Sequence, residues 1–267
     1  MLDWLRESWN FAMHIFSSIF TAMIICPETG RPKLGAATDA KLRLTYFDQK
    51  GPAQAIRDTF LYARIAFDDK RVTVEEFDRL KSALPYGQLP VLEVEGGIVF
   101  AQSKSILRYA SKKARTYPSN PEDAAIIDEW CDLHTDFMQI LTVNLYSDLA
   151  GLRETGYDAA AHRAWVIREH IPKYLRLLDA ELSLTTWLGG MDSINMADFC
   201  WYPTLCWLHE GTFDGVTKET FDAYPDVLEH MQRVHAHLVV DVDADGVFED
   251  GGEDSSADDE LDDNKED

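Results

Sequence analysis

The rhythm of hydrophobic and polar positions changes several times along the 267-residue chain. Lys41 to Tyr46 alternates apolar and polar side chains, the period of a half-buried strand. Gly51-Pro52 interrupts it, and Ile56, Phe60, Ala63 and Phe67 then recur at helical spacing, which predicts an amphipathic helix over residues 53–67. The β-branched run Val72-Thr73-Val74 predicts a second strand. Pro90 to Glu95 and Ile98 to Phe100, joined by Gly96-Gly97, predict a hairpin, and helical spacing returns from Gln102 to Ala114. After Pro118 and Pro121 the pattern is helical from Glu122 to about His237. The order β-α-β, then β-β-α, then helices predicts an α/β domain over residues 41–115 and an all-helical domain over residues 116–240.

Both ends depart from this pattern. Placed on a helix, residues 3–21 put Asp3, Glu7, Asn10, His14, Ser17, Ser18 and Thr21 on one narrow polar stripe, and the rest of the surface is mostly apolar. The 18 residues from Trp9 to Cys26 carry no formal charge, the lower limit for spanning a bilayer. An apolar helix followed by a Pro/Gly linker is therefore expected over residues 1–40, and residues 1–26 are a candidate for docking on a membrane or a protein complex. The opening residues lack the positive segment of a secretory signal.

At the other end, residues 241–267 hold fourteen Asp/Glu against one Lys, a net of −13, which leaves −9 of the formal −22 for the other 240 residues. A segment so charged and so poor in large apolar groups cannot offset its chain entropy by burial and is expected to be disordered. It begins like a calcium loop at Asp241, Asp243, Asp245 and Gly246, but Gly252 stands where the loop needs its twelfth-position Glu. The negative balance also argues against nucleic acid as a partner. Cys26, Cys131, Cys200 and Cys206 have no metal-ligand spacing and sit among apolar neighbours; they read as free thiols in a reducing, cytoplasmic setting.

Three stretches carry candidate chemistry. Tyr46 ends the first strand, before the loop into a helix, so its phenol either lines the mouth of the domain or packs half-buried. In Gly87-Gln88-Leu89-Pro90-Val91-Leu92, a Pro opening a strand after a turn is a candidate cis bond. A cis bond there would turn the backbone of Leu89 outward to pair with an extended peptide ligand. Gln102-Ser103 opens a helix whose first-turn N–H groups suit a carboxylate, or simply need a cap.

Taken in order, these stretches resemble the thioredoxin-like, glutathione-binding domain of the cytosolic glutathione transferases. The resemblance spans about Lys41 to His237 and is strongest to the sigma class, the class of haematopoietic prostaglandin D synthase. Leu44-Thr-Tyr-Phe47, Leu80 to Gly87 and Leu92-Glu-Val-Glu-Gly96 all read like that class. Asn195-Met-Ala-Asp198, a capping box, and Tyr224-Pro225 fit the family's helical domain.

The resemblance implies a dimeric enzyme that adds glutathione, its co-substrate, to a small apolar electrophile or isomerises one. Tyr46 would hydrogen-bond the glutathione sulfur as the catalytic residue. Phe77 stands where the class usually has Trp, Lys81 where a Lys meets the glycyl carboxylate, and Gln88 where a Lys is common. Leu89, before cis Pro90, would pair with the cysteinyl unit, and Gln102 and Ser103 would hold the γ-glutamyl end. Asp136 would reach across a dimer interface, while Asp132, on the same helix face, reads as solvated surface. Met138 and Leu141 are candidates for an apolar wall. One departure stands out: Pro52 occupies the place of an Arg that usually follows the loop glycine. That loss leaves a second reading open, a non-catalytic accessory subunit tethered by the N-terminal helix.

Overall fold

The computed structural model describes residues 42–145 and 156–239. The predicted N-terminal helix and linker, His14, Cys26, the acidic tail and its calcium-like loop lie outside the described residues.

Four strands form one sheet in the order β2-β1-β3-β4: β1 (Leu42–Phe47), β2 (Asp68–Val72), β3 (Val91–Val94) and β4 (Ile98–Ala101). β1 and β2 are parallel, with Tyr46 beside Arg71, and are linked by the crossover helix α1 (Gln54–Tyr62). β1 and β3 run antiparallel with Leu44 opposite Leu92, and the Gly96-Gly97 turn closes the β3–β4 hairpin. Short α2 (Val74–Leu80) precedes the loop into β3, and α3 (Ser103–Lys113) follows β4. Leu44, Leu92, Ile56, Phe60, Ile106 and Leu107 are fully buried and form the core where the sheet meets α1 and α3. This is the expected thioredoxin-like α/β arrangement.

The second strand falls four residues earlier than Val72–Val74. Thr73 caps α2 instead: its hydroxyl accepts from the Glu76 N–H at 3.2 Å, and the Glu76 carboxylate accepts from the Thr73 N–H at 2.8 Å. β2 is an edge strand, so its Asp-Asp-Lys-Arg sequence is tolerated through ion pairs such as Arg43–Asp68 and Arg57–Asp69. No apolar alternation marks such a strand. α1 is also shorter than the pattern predicts; it ends at Tyr62, the chain turns through Arg64 at a positive φ of 52°, and Phe67 folds back onto Phe60.

The remainder is helical: α4 (Pro121–Leu145), α5 (Ala159–Trp165), α6 (Ile171–Leu182), α7 (Met196–His209) and α8 (Pro225–Leu238). The chain between α5 and α6 widens into a π-turn over Val166–His170, just before Pro172, which has no N–H to donate. α7 is the centre of the bundle, apolar nearly all round, and it packs on α1, α4 and α8. Its capping box forms as expected. The Asn195 side chain accepts from the Ala197 N–H, and the Asp198 carboxylate accepts from the Asn195 N–H at 2.8 Å. Asp198 also accepts from the Leu188 N–H and faces His230 Nε2 at 2.8 Å, both side chains being 0 % exposed. Leu141 is fully buried in the core, so it lines no cleft, and Met138 beside it is half-buried.

Candidate functional site

The Leu89–Pro90 peptide bond is cis. It stands at the entry to β3, next to the central strand β1, so the carboxyl end of β1 and the start of β3 bring Tyr46 and Leu89 to one end of the sheet. Tyr46 is only 4 % exposed and lies under the following loop rather than in an open mouth. Gly51 in that loop has φ +43°, and a Cβ built there would lie 2.6 Å from the Tyr46 hydroxyl oxygen. Glycine is needed for both reasons. The side-chain amide of Gln49 approaches the same oxygen at 3.4 Å.

Behind Tyr46, Phe47 stacks edge-on against Phe77, with ring centroids 5.3 Å apart. Phe77 is 2 % exposed and has no polar group to donate. The Lys81 ammonium lies 5.9 Å from the Phe77 ring centroid, a cation–π distance, and its stem runs along Gly87, where a Cβ would meet Lys81 Cγ at 3.4 Å. Phe77 thus sets the place of Lys81 beside the segment leading to Pro90.

Gln88 and Gln102 are brought together, the amide of Gln102 donating to Gln88 Oε1 at 3.2 Å. Gln102 holds a positive φ of 71°, the position before α3, and Ser103 begins the helix. A non-glycine residue in that region is strained, and such strain is retained where a particular orientation is required. Asp136 and Asp132 are exposed on α4, in a shallow acidic groove shared with Asp128 and Glu129.

Two groups escaped the sequence reading. Gly51 registers in the sequence only as punctuation, and its contact with Tyr46 arises from how the loop folds back over the end of β1. Arg57 sits inside the buried run Ile56–Phe60 of α1, where a charge on an apolar helix face was the available signal. It donates from Nε to Asp69 and from Nη1 to the carbonyls of Gln49 (2.9 Å) and Lys50 (3.2 Å).

A second polar cluster lies immediately behind Ser103. Lys104 Nζ donates to Cys200 Sγ and stands 2.9 Å from His134 Nδ1, whose Nε2 is 2.8 Å from the Thr204 hydroxyl. Burial opposes ionisation of Cys200. The Cys131 thiol and the nearby His134 and Lys104 nevertheless hold its pKa well below that of an ordinary thiol. Its partner Cys131 is pushed up by donating to Cys200 and by burial. These side chains join α3 to α4 and α7, tying the first turn of α3 to the helical bundle. Cys131, Cys200 and Cys206 are free thiols. Among the described residues no three His, Cys, Asp or Glu side chains converge as metal ligands, and no helix is long and apolar enough to cross a membrane.

Comparison with known proteins agrees with this architecture. Residues 144–240 match the family model described as glutathione S-transferase, C-terminal domain. Glutathione S-transferase 2 of Caenorhabditis elegans is 33 % identical over 158 residues, covering 58 % of this chain and 82 % of that protein. Hematopoietic prostaglandin D synthase of Gallus gallus is 28 % identical over 194 residues, covering 73 % of this chain and 90 % of the relative. The crystal structure of the glutathione S-transferase from Ascaris lumbricoides superposes with a TM-score of 0.60 at 28 % identity, over 73 % of this chain and 92 % of that one. With its sheet order, its cis proline, its helical bundle and these relatives, the chain belongs to the glutathione S-transferase family.

Proposed function

We propose that this protein binds glutathione and activates its thiol for addition to, or isomerisation of, a small apolar electrophile, with Tyr46 as the catalytic residue. The observation that carries the reading is the convergence of the buried Tyr46 hydroxyl, the cis Leu89–Pro90 bond and the strained Gln102 at one end of the sheet. The names of the relatives, glutathione S-transferase and hematopoietic prostaglandin D synthase, support the same chemistry.

Each residue has a part in this reading. The outward backbone of Leu89 pairs with the cysteinyl unit of glutathione, as an added strand pairs with a sheet edge. Gln102, Ser103 and the first turn of α3 hold the γ-glutamyl carboxylate and amine, with Gln88 bracing Gln102. Lys81, seated on Phe77, meets the glycyl carboxylate. Tyr46 donates to the sulfur. A free thiol with a pKa of about 8.5 is roughly 3 % thiolate at pH 7. A hydrogen bond to a charged acceptor contributes about 1.5–3 kcal/mol, which lowers that pKa by roughly one to two units. Bound glutathione is then about one-quarter to three-quarters thiolate, a competent nucleophile. The thiolate attacks the electrophilic carbon, and the proton it gave up leaves to solvent or to the departing group.

Asp136 is exposed on α4; its part is to reach the glutathione of a second copy, in a homodimer. Free buried thiols suit a cytoplasmic location.

The test is titration calorimetry with glutathione alongside conjugation of chlorodinitrobenzene, for wild type and Tyr46→Phe. Tyr46→Phe should bind glutathione within about threefold of wild type and lose about tenfold to a hundredfold in kcat/KM at pH 7, the kinetic equivalent of one to two pKa units. The wild type should sediment as a dimer. A wild-type protein that neither binds glutathione nor conjugates it sinks the proposal.

A further inference from the structure

Arg57 has an unusual set of partners. Its side chain is 7 % exposed, on the face of α1 that meets the sheet. Nε spans both oxygens of Asp69 at 3.1 and 3.2 Å, and Nη1 holds the carbonyls of Gln49 and Lys50. Among the described residues Nη2 is buried without a hydrogen-bond partner. Natural proteins rarely leave a buried cationic donor unpaired, and each such group asks for an explanation. The guanidinium carbon lies 5.8 Å over the centre of the Tyr46 ring. The two carbonyls it holds belong to the loop that closes over the Tyr46 hydroxyl: Gln49 donates its own side-chain amide to that oxygen, and Gly51 presses against it.

We infer that Arg57 is the positioning residue for Tyr46, an inference that rests on the proposed role of Tyr46 itself. Arg57 clamps the loop backbone so that Gln49 and Gly51 fix the hydroxyl, and it supplies a fixed positive charge beside the negative charge that the phenol and the glutathione sulfur share. The clamp matters more in this chain than in the general pattern, because Pro52 leaves the loop without the Arg expected there. Pro52 has no side chain that can donate, whereas Arg57 reaches the same loop from the helix side. The planar fork of a guanidinium suits such a clamp. One nitrogen pairs with a carboxylate while another holds two carbonyls, which an ammonium cannot do in one fixed geometry.

The charged and titratable groups around it are consistent with this. Burial lowers the pKa of Arg57, Asp69 offsets that, Arg71 on β2 opposes the charge, and Tyr46 favours it. On its own helix Asp58 carries the only other nearby carboxylate among the groups that perturb it or that it perturbs. Arg57 stays protonated through the range in which a thiol titrates.

The test reads the pKa of the bound thiol, not turnover. Thiolate absorbance of glutathione bound to the full chain is titrated for wild type, Arg57→Gln and Arg57→Lys, with folding checked by circular dichroism. Arg57→Gln should raise the bound thiol pKa by about one unit, so that thiolate at low pH falls about tenfold, while glutathione affinity stays within about threefold. Arg57→Lys keeps the charge on Asp69 but not the two carbonyls, and should raise the pKa by a smaller, measurable amount; it stands in should Arg57→Gln not fold. Wild-type thiol pKa in folded Arg57→Gln or Arg57→Lys overturns the inference. A wild type that leaves bound glutathione at its solution pKa overturns the role of Tyr46 instead, so the two failures are distinguishable.

Discussion

At Gly51 the absence of a side chain is a requirement. Its φ of +43° and the 2.6 Å gap between a built Cβ and the Tyr46 oxygen leave an alanine no room. The Tyr46 ring is buried and wedged against Phe47, so it cannot swing aside as an exposed tip would. Gly51→Ala is therefore expected to push the hydroxyl out of line. The outcome should be a loss of at least about tenfold in kcat/KM, with a stability cost of about 1–2 kcal/mol. Conjugation kinetics and a thermal melt on the same variant check it; unchanged kinetics would show that the hydroxyl position does not matter. Phe77 gives the opposite kind of residue-scale lesson. The sequence reading places it among the glutathione contacts, and its ring lies 2 % exposed in the core with the Lys81 ammonium 5.9 Å from its centroid.

Among the elements, α7 depends most on one buried carboxylate. Asp198 accepts from two backbone N–H groups, those of Leu188 and Asn195, and pairs with His230. Asp198→Ala would strand those donors away from water. The expected cost is about 3–5 kcal/mol, read as a drop in the urea midpoint without a change in slope. A loss below about 1 kcal/mol would show that water replaces the carboxylate. The contrast with β2 is instructive. The capping box of α7 is visible in the sequence because it is local, four residues long and chemically specific. β2 is held by pairing with β1 and by ion pairs to Arg43 and Arg57, whose partners are 25 and 12 residues away. Nothing within Asp68–Val72 announces a strand.

For the molecule as a whole, the contact of α1 with α7 joins the α/β part to the helical part, and Asp58 lies in it. Burial raises its pKa from 3.8 to about 6, against the opposing effects of Gln54, Arg57 and Lys50. A raised carboxyl means that the folded state holds a proton the unfolded chain has lost. Its contribution is then fully present below about pH 4 and is lost as pH rises through about 6. A shift of roughly two units corresponds to about 3 kcal/mol. Asp58→Asn should thus be more stable than wild type at pH 7 by up to about that amount, and the difference should shrink toward pH 4. Burial lowers the pKa values of His134 and His170, so their contribution is lost in the other direction, as pH falls below about 6.5. Both proteins share those histidines, so the difference between their denaturation curves isolates Asp58. A difference that does not vary with pH would contradict the assignment.

What the sequence determined by itself is what depends on neighbours along the chain. Strand and helix periods, the glycines of the β3–β4 turn, the capping box of α7 and the cis-prone Leu89-Pro90 step are each encoded within a few residues, and the order of these elements identifies the fold. The position of Tyr46 at the end of β1 follows from the same local pattern. Only the tertiary structure decided what lies around it. Gly51 against the hydroxyl and Arg57 holding the loop from α1 depend on how the chain between β1 and α1 folds back on itself, and the place of Leu141 in the core and of Lys104 beside Cys200 depends on segments far apart in sequence. Periodicity says which side of an element is buried, not which residue of another element it meets.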